Sequence, residues 1–340
     1  MARMRQAIVV NALRPLSRLV LAAGLTLLAA APVRANDSEA AFGIGGLTLL
    51  RSEAIRLDQE ELFISREQVR VNYVFTNLTD RDIETVVAFP LPDVVHSPAA
   101  RTPDLARELE FHTTVDGQPM RLDLVQRASF KGQDITARLQ GLGLPLAAMG
   151  DGFSAAVNRL APAARAALLR EELILDGGHD GRNHLWDALW TVHTTVTRRQ
   201  TFPASRSIRV EHRYRPVIGG RVGGALDPDQ RRTAEFREQR QRQCIDDAFL
   251  AGLDRRRAAI RPEARPGYGE VWVQYVLRSG ANWAGPIGDF RLVVDKGNPR
   301  SLVSFCATGV RRLDDRRFEV RYRNFTPDQD LDILIVDFAP

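Results

Sequence analysis

Apolar residues recur at every second position in one short segment after another of this 340-residue chain. Residues 69–75 alternate apolar side chains with mostly polar neighbours, and residues 208–214 alternate them with charged ones. A period of two is typical of strands that bury only one face. Because turn residues separate many of these segments, the pattern predicts antiparallel sheets and therefore a β-sandwich type of fold.

Two turn sequences strengthen this prediction. Residues 77–82 are rich in Asn and Asp, whose side chains hydrogen-bond to their own backbone in turns, and a second alternating segment, 83–89, follows them. Asp116-Gly117 also lies between two alternating segments, which is a strong hairpin signal. A similar strand and turn recur near Asn324, so two related sandwiches and a chance likeness of hairpins both remain open.

Two stretches of the sequence have helical rather than strand character. Phe153, Ala156, Val157 and Leu160 have the spacing of one helix face, and Pro162 suits the first turn of a second helix. The predicted class is therefore mainly β, made of one or more antiparallel β-sandwiches with a helical insertion around 134–175 and a charged helical segment around 228–261. The predicted segments are a signal peptide (1–35), an N-terminal β-sandwich part (36–130), a helical insertion (131–180), returning strands (181–224), a charged helical segment (225–264) and a C-terminal β part (265–340).

The N-terminus has the features of a bacterial secretory signal. Four arginines within residues 1–18 precede a mostly apolar run, 19–31, and Val33-Arg34-Ala35 resembles a cleavage site. We therefore expect cleavage between Ala35 and Asn36 and a periplasmic location. The apolar run is shorter than the roughly 20 residues that a membrane-spanning helix needs, and we expect no transmembrane segment in the mature chain.

The charge of the chain argues against nucleic acid as a partner. The net charge of +5 rests on 47 basic and 42 acidic residues. Five of the basic residues are arginines within residues 1–35, which contain no acidic residue, so the predicted mature chain is formally neutral. A nucleic-acid-binding protein needs a basic surface, and the mature composition does not provide an overall excess of positive charge.

The chain contains two cysteines, Cys244 and Cys306. In an oxidising compartment such a pair favours a disulfide. Two buried free thiols are the alternative that the sequence leaves open.

The densest polar cluster lies between the helical insertion and the next strands. His179, Asp180 and His184 have side chains that suit zinc and similar ions. The two histidines are five residues apart, which is wrong for one helix face, and the surrounding glycines favour a solvated loop. These three residues are therefore weak metal candidates, and the sequence predicts no cofactor and identifies no catalytic residue.

Two other histidines differ in their predicted surroundings. His212 shares the apolar face of its strand with Val210 and Tyr214, which favours a hydrogen-bonded core histidine over a catalytic base. His193 lies on the face opposite to Trp190 and Val192, which predicts exposure to solvent.

Pro90-Leu91-Pro92 ends an apolar strand. Proline removes a backbone donor and pushes the residue before it into an extended conformation. We therefore expect strand pairing to stop here, the chain to leave the sheet as an extended arm, and Leu91 to plug the end of the sandwich.

Several short motifs, taken together, resemble the bacterial exported family known as domain of unknown function 4424. They are Asn36-Asp-Ser38, Gly45-Gly-Leu47, Glu61-Leu-Phe-Ile-Ser65, Val71-x-Tyr-x-Phe-x-Asn77, Ile83-Glu84, Phe89-Pro-Leu-Pro92, Phe202-Pro-Ala204, His212-x-Tyr-x-Pro216, Cys244-Ile-Asp246, Trp283-x-Gly-Pro-Ile287 and Ser304-Phe-Cys306. The resemblance implies a recurring cysteine pair, which agrees with the disulfide, and it supplies no activity and no catalytic residues.

A second, local resemblance is to the vault/inter-α-trypsin type of β domain. It is carried by Phe89-Pro-Leu-Pro92 and by the strand and Asp-Gly turn of residues 111–117. This resemblance implies a β-sandwich used for interaction. The leading expectation is thus a non-catalytic binding module of the cell envelope with a protein or glycan partner. The alternatives are a metal-assisted hydrolase that uses the His179–His184 cluster and a structural module of an envelope assembly.

Overall fold

The computed structural model describes residues 37–43, 46–96, 109–148, 150–260 and 267–338. The predicted signal peptide and its cleavage site, Ala35 and Asn36, lie outside these ranges. Within the described ranges, twenty-one strands and five α-helices confirm the mainly β class.

The strands are β1 (Ser38–Gly43), β2 (Gly46–Leu50), β3 (Ile55–Ile64), β4 (Val69–Asn77), β5 (Ile83–Pro90), β6 (Val94–Val95), β7 (His112–Val115), β8 (Gln118–Pro119), β9 (Asp123–Phe130), β10 (Gln133–Asp134), β11 (Ile174–His179), β12 (His184–Ala188), β13 (Thr191–Phe202), β14 (Ser207–Tyr214), β15 (Ile218–Val222), β16 (Tyr268–Tyr275), β17 (Ile287–Asp295), β18 (Leu302–Ser304), β19 (Arg311–Arg312), β20 (Arg317–Phe325) and β21 (Leu331–Phe338). The α-helices are α1 (Thr136–Gly141), α2 (Gly150–Arg159), α3 (Pro162–Arg170), α4 (Ala234–Arg242) and α5 (Asp247–Ala258). None of the helices in the described ranges is long and apolar enough to cross a bilayer.

The alternating segments form an eight-stranded sheet with the order β19-β20-β17-β3-β4-β14-β7-β8. Neighbouring strands pair antiparallel, except that β17 and β3 run parallel. Exposed and buried residues alternate along the whole of β14, as its sequence predicts. The hairpin between β7 and β8 turns at Asp116 and Gly117, whose positive φ angles of 48° and 80° suit a two-residue turn.

One apolar core lies between the eight-stranded sheet and two further sheets. The seven-stranded sheet has the order β10-β9-β13-β5-β1-β2, with β6 also paired to β13, and the four-stranded sheet has the order β15-β16-β21-β18. Phe75 of the first sheet meets Phe202 of the second with ring centroids 5.9 Å apart. Tyr73 and Tyr275 join the first sheet to the third by a hydrogen bond of 3.0 Å. Residues of all three sheets share this core, so the similar strands β4 and β20 do not belong to two separate sandwiches.

The four-stranded sheet is covered on both faces. Ile333 and Ile335 of β21 pack into the main core, whereas Leu334 and Val336 pack into a second core with Phe236 of α4 and residues of α5. This explains why residues 333–336 are continuously apolar instead of alternating. Both helices begin at capping side chains, because Thr233 accepts the backbone N–H of Phe236 and Asp246 accepts that of Phe249.

The helical insertion has a core of its own. Helices α1 to α3 pack with β9 and with β11 to β13 around the fully buried Trp190, Phe153 and Leu168. Pro162 occupies the first turn of α3, which its missing N–H permits.

The Pro90–Pro92 segment behaves differently from the expectation of an extended arm. β5 pairs with β13 as far as Pro90, and the N–H of Leu91 still donates to the carbonyl of Thr194 at 2.8 Å. β6 then resumes pairing with the same strand β13. The prediction of an extended arm was wrong because only Pro92 and Asp93 interrupt the ladder. The backbone donors on either side of them remain available to β13.

Replacement of Leu91 should test how much this segment stabilises the fold. Leu91 is 1% exposed and belongs to the main core. Leu91→Ala removes buried methyl groups and leaves a cavity, so we expect the free energy of unfolding to fall by about 2–4 kcal/mol. Urea denaturation of the mature protein measures this change, with Leu78→Ala on the exposed β4–β5 turn as the control. A neutral result for Leu91→Ala would contradict the role of Leu91 in the core.

Candidate functional site

A cavity of about 560 Å³ opens beside the disulfide, between one end of the eight-stranded sheet and the start of β21. Its inner wall consists of buried apolar side chains from β17, β20, β21 and the segment after β16. These side chains are Leu277, Phe290, Leu292, Val320 and Leu331. The cavity therefore reaches the apolar core, and its volume is in the range of small-molecule sites.

Three aromatic rings line one side of this pocket. Phe290, Tyr322 and Phe325 have ring centroids 4.8 to 6.1 Å apart. Alternation along β20 places Tyr322 on the same face as Val320. Phe325 would lie on the opposite face, but Asn324 has a positive φ of 50° that interrupts the alternation and lets Phe325 contact Tyr322.

The disulfide forms another part of the pocket wall. Cys244 lies between α4 and α5, Cys306 follows β18, and their Cα atoms are 5.0 Å apart. The Ser304 hydroxyl supports this connection by donating to the carbonyls of Gln243 and Cys244, at 2.8 and 3.1 Å. The hydroxyl of Tyr322 accepts the N–H of Thr308 at 2.8 Å, which fixes the segment after the disulfide against the aromatic rings.

The rim of the pocket carries two carboxylates with different roles. Asp330 accepts the backbone N–H groups of Leu277 and Arg278, and it also pairs with the Arg278 guanidinium at 2.9 Å. Asp328 is exposed, and no described residue forms a hydrogen bond or ion pair with it. Asp328 therefore contributes an uncompensated negative charge beside the aromatic rings.

A buried polar centre lies in the main core. It includes the ion pair between Asp37 and Arg198. The carboxylate of Asp37 accepts two hydrogen bonds from the Arg198 guanidinium at 3.0 and 2.7 Å, and its Oδ2 lies 3.1 Å from Nε2 of His212. Trp283 donates its indole N–H to the Asp37 carbonyl at 2.7 Å. Thr113 bonds the other nitrogen of His212 at 2.8 Å. All four polar side chains of this centre are buried.

The protonation states of this buried centre follow from its surroundings. Burial by itself raises the pKa of Asp37, but the charges and hydrogen bonds of Arg198 and His212 outweigh that effect and hold the pKa well below its usual range. Burial lowers the pKa of His212 more than the neighbouring carboxylate raises it. The imidazole is therefore neutral, with its Nε2–H donating to Asp37 and its Nδ1 accepting from Thr113. Because solvent does not reach the centre, its role is to hold the sheets together.

Residues 35–334 match the family described as domain of unknown function, DUF4424. The chain belongs to the DUF4424 family. The match includes all of the strands that form the pocket, apart from the last residues of β21. It also includes both cysteines and the buried Asp37 centre, so the family assignment applies to the whole site.

This DUF4424 protein is similar in structure to a protein from Legionella pneumophila subsp. pneumophila str. Philadelphia 1. The crystal structure of that protein is described as one of a "putative nutrient binding protein". The two are 14% identical, the TM-score is 0.44, and the match covers 89% of this chain and 70% of the other. No curated protein matches this chain in sequence.

The predicted metal candidates lie at the tip of the β11–β12 hairpin. His179 and His184 pair across the two strands, with ring centroids 6.5 Å apart. Nε2 of His184 lies 2.9 Å from the Asp176 carboxylate, and Asp180 accepts the backbone N–H groups of Arg182 and Asn183. Asp180 and His184 thus make their contacts within this hairpin. Within the described ranges, no three His, Cys, Asp or Glu side chains are grouped as a metal site requires. Metal binding here stays a prediction.

The sequence predicted the disulfide of this DUF4424 protein but not the pocket beside it. No motif in the sequence marks Phe290, Tyr322 and Phe325 as parts of one site. The available signal was the Asn324-Phe325 pair directly after an alternating strand, because a turn-forming asparagine at that point breaks the period of two. Asp37 appears only within the Asn36-Asp-Ser38 motif, and nothing in the sequence predicts that its side chain is buried.

Proposed function

We propose that this protein is an exported, periplasmic binding module of the cell envelope, and that its disulfide-walled pocket holds an apolar group carrying a positive charge. The observation that carries the proposal is the pocket itself. Its inner wall is apolar, three aromatic rings flank it, and the unpaired carboxylate of Asp328 lies at its rim. Aromatic faces and carboxylates both attract cations, while the inner wall favours an apolar body.

The apolar wall also bears on the class of partner. Sugars present many hydroxyl groups, which need hydrogen-bonding partners when they are buried. Leucine, valine and phenylalanine side chains of the inner wall provide none. The pocket therefore suits a cationic small molecule, or an apolar side chain of a protein partner next to a Lys or Arg, better than it suits a glycan.

Several features support binding at this pocket over chemistry. The two cysteines of its lining are joined to each other, and a disulfide sulfur is no nucleophile. The remaining polar lining residues are Thr308, Tyr322, Asp328, Gln329 and Asp330, and no histidine lines the described pocket. Export is supported by the predicted signal peptide and by the disulfide, which is stable in an oxidising compartment.

Binding of benzylammonium and of its neutral analogue benzyl alcohol should separate the two parts of this proposal. We expect calorimetric titration of the mature protein to show tighter binding of benzylammonium. Phe325→Ala should lower the affinity for both compounds by at least about fivefold, because each loses an aromatic contact. Asp328→Asn should lower the affinity for benzylammonium alone by about two- to fivefold, because an exposed ion pair contributes little.

Asp80→Asn is the matched control, since Asp80 is exposed in the β4–β5 turn and does not line the pocket. It should leave both affinities unchanged. Equal loss of benzylammonium binding in Asp80→Asn and Asp328→Asn would contradict a role for Asp328. Unchanged binding in Phe325→Ala would place the ligand elsewhere.

A further inference from the structure

A chain of three side chains on the seven-stranded sheet connects a serine, a histidine and an aspartate. The hydroxyl oxygen of Ser129 lies 2.7 Å from Nε2 of His193. Nδ1 of the same ring lies 2.7 Å from Oδ1 of Asp93. The His193 side chain is 21% exposed and that of Asp93 is 38% exposed, and Ser129 is partly exposed as well. All three side chains therefore belong to residues that are at least partly exposed to solvent.

The order of the contacts is the one that activates a serine. A neutral imidazole that gives Nδ1–H to a carboxylate has its lone pair on Nε2, where it accepts the hydroxyl proton of serine. Ser129, His193 and Asp93 have this arrangement of nucleophile, base and orienting carboxylate. The nitrogen that faces each partner thus matches the requirements of acyl transfer.

The fold positions each of the three residues independently. Ser129 is near the end of β9, and His193 is two residues beyond Thr191, the residue of β13 that pairs with Ser129. Pro92 and Asp93 interrupt the ladder on the other side of β13, directly between the pairs formed by Leu91 and Val94. This interruption aims the Asp93 carboxylate at His193, as irregularities in a ladder commonly do for functional side chains. The segment Pro90–Pro92 thereby has a role beyond packing.

A comparison within the same protein shows what distinguishes this chain of contacts. Thr113, His212 and Asp37 also form a hydroxyl–imidazole–carboxylate series. There the hydroxyl is on Nδ1 and the carboxylate on Nε2, a guanidinium already neutralises the carboxylate, and all of the groups are buried. No substrate reaches that centre. The surface series has the reverse nitrogen order, and its residues are partly exposed.

A positively charged side chain, that of Arg127, lies on the same sheet face as Ser129 and His193. Arg127 pairs directly with His193 in the β9–β13 register and is two residues from Ser129. Its Nε and Nη2 both donate to Asp134, at 2.9 and 2.6 Å, so the guanidinium is oriented and its Nη1 remains for a ligand. A fixed positive group beside a serine stabilises the negative oxygen that develops during acyl transfer.

We propose that Ser129 and His193 are catalytic residues of an esterase site for small acyl esters, with Asp93 as a positioning residue. The hydroxyl oxygen of Ser129 attacks the ester carbonyl while Nε2 of His193 takes its proton. The C–O bond to the alcohol then breaks, and His193 returns the proton to the leaving alcohol, which leaves an acyl-Ser129 ester. A water molecule attacks that ester by the same proton path, releasing the acid and restoring the serine. The site lies on a sheet face, which favours short acyl groups such as acetyl. It is independent of the pocket beside the disulfide.

The test uses a fluorophosphonate probe and p-nitrophenyl acetate on the folded mature protein. We expect peptide mass spectrometry to find the probe on Ser129 and the label to be absent from Ser129→Ala. Hydrolysis of p-nitrophenyl acetate should fall at least about a hundredfold in Ser129→Ala and in His193→Gln. Ser207→Ala is the matched control, because Ser207 is exposed on a strand and bonds Thr76 instead of a histidine. It should keep the full rate.

Asp93→Asn separates positioning from a structural role. We expect kcat to fall with little change in KM, and the pH profile of kcat/KM to change, because the base is no longer held in the correct tautomer. Ser129→Ala should still bind benzylammonium, so that failure of this site and failure of the pocket are distinguishable. An unlabelled Ser129 in the folded wild-type protein, or wild-type hydrolysis by Ser129→Ala, would overturn the proposal.

Discussion

Asp37→Ala is expected to lower the free energy of unfolding by about 3–5 kcal/mol, because it leaves a buried guanidinium without its counter-charge. Asp37 is completely buried and Arg198 is 3% exposed. Removal of the carboxylate also removes the acceptor for Nε2–H of His212. Each of these groups keeps the desolvation cost of burial and loses the interaction that offset it.

Urea denaturation of the mature protein measures this loss. Glu172→Ala is the control, since it removes the carboxylate of the exposed ion pair with Lys131 and should leave the midpoint nearly unchanged. The double variant Asp37→Ala/Arg198→Met should lose less stability than the sum of the single variants, because it leaves no unpaired charge in the core. A loss below about 1 kcal/mol for Asp37→Ala would show that the centre does not hold the sheets together.

Removal of the disulfide is expected to cost about 4 kcal/mol by the loop-entropy relation, since the two cysteines are 62 residues apart. Cys244→Ser/Cys306→Ser should also weaken benzylammonium binding, because the bond forms one wall of the pocket. Urea denaturation with and without reductant measures the first effect, and calorimetry measures the second.

Thiol labelling of the exported protein provides the control for this prediction. We expect no labelling before reduction and two labelled thiols after it. Two reactive thiols without reduction would contradict the bond. A double serine variant with unchanged stability would contradict its contribution to the fold.

The sequence predicted individual strands well because their signal is local. Alternation along 69–75 and 208–214 and the Asp116-Gly117 turn are each contained within a few residues. Strand order is not local in this way. The parallel pairing of β3 with β17 joins residues more than 200 positions apart, and no short pattern encodes it. The end of β5 was misread because proline predicts where one pairing stops and not that the chain rejoins the same partner strand two residues later.

The residues of the two proposed sites were harder to predict for the same reason. Ser129, His193 and Asp93 lie on three different strands or loops, and only the ladder of β13 brings them together. His193 was predicted to face solvent, but its partners carry no spacing that marks them. The pocket likewise combines Leu277, Phe290 and Tyr322 from three separate elements with the disulfide. The burial of Arg198 could not be predicted, because an arginine within a strand is normally assigned to the exposed face.

A crystal structure of the mature protein soaked with 4-bromobenzylammonium tests the binding proposal most directly, because anomalous scattering locates the bromine without ambiguity. The account predicts bromine among Phe290, Tyr322 and Phe325, with the ammonium group directed toward Asp328. The same soak of Phe325→Ala should give a weaker signal. Bromine bound elsewhere, or an empty pocket at saturating ligand, would contradict the central claim.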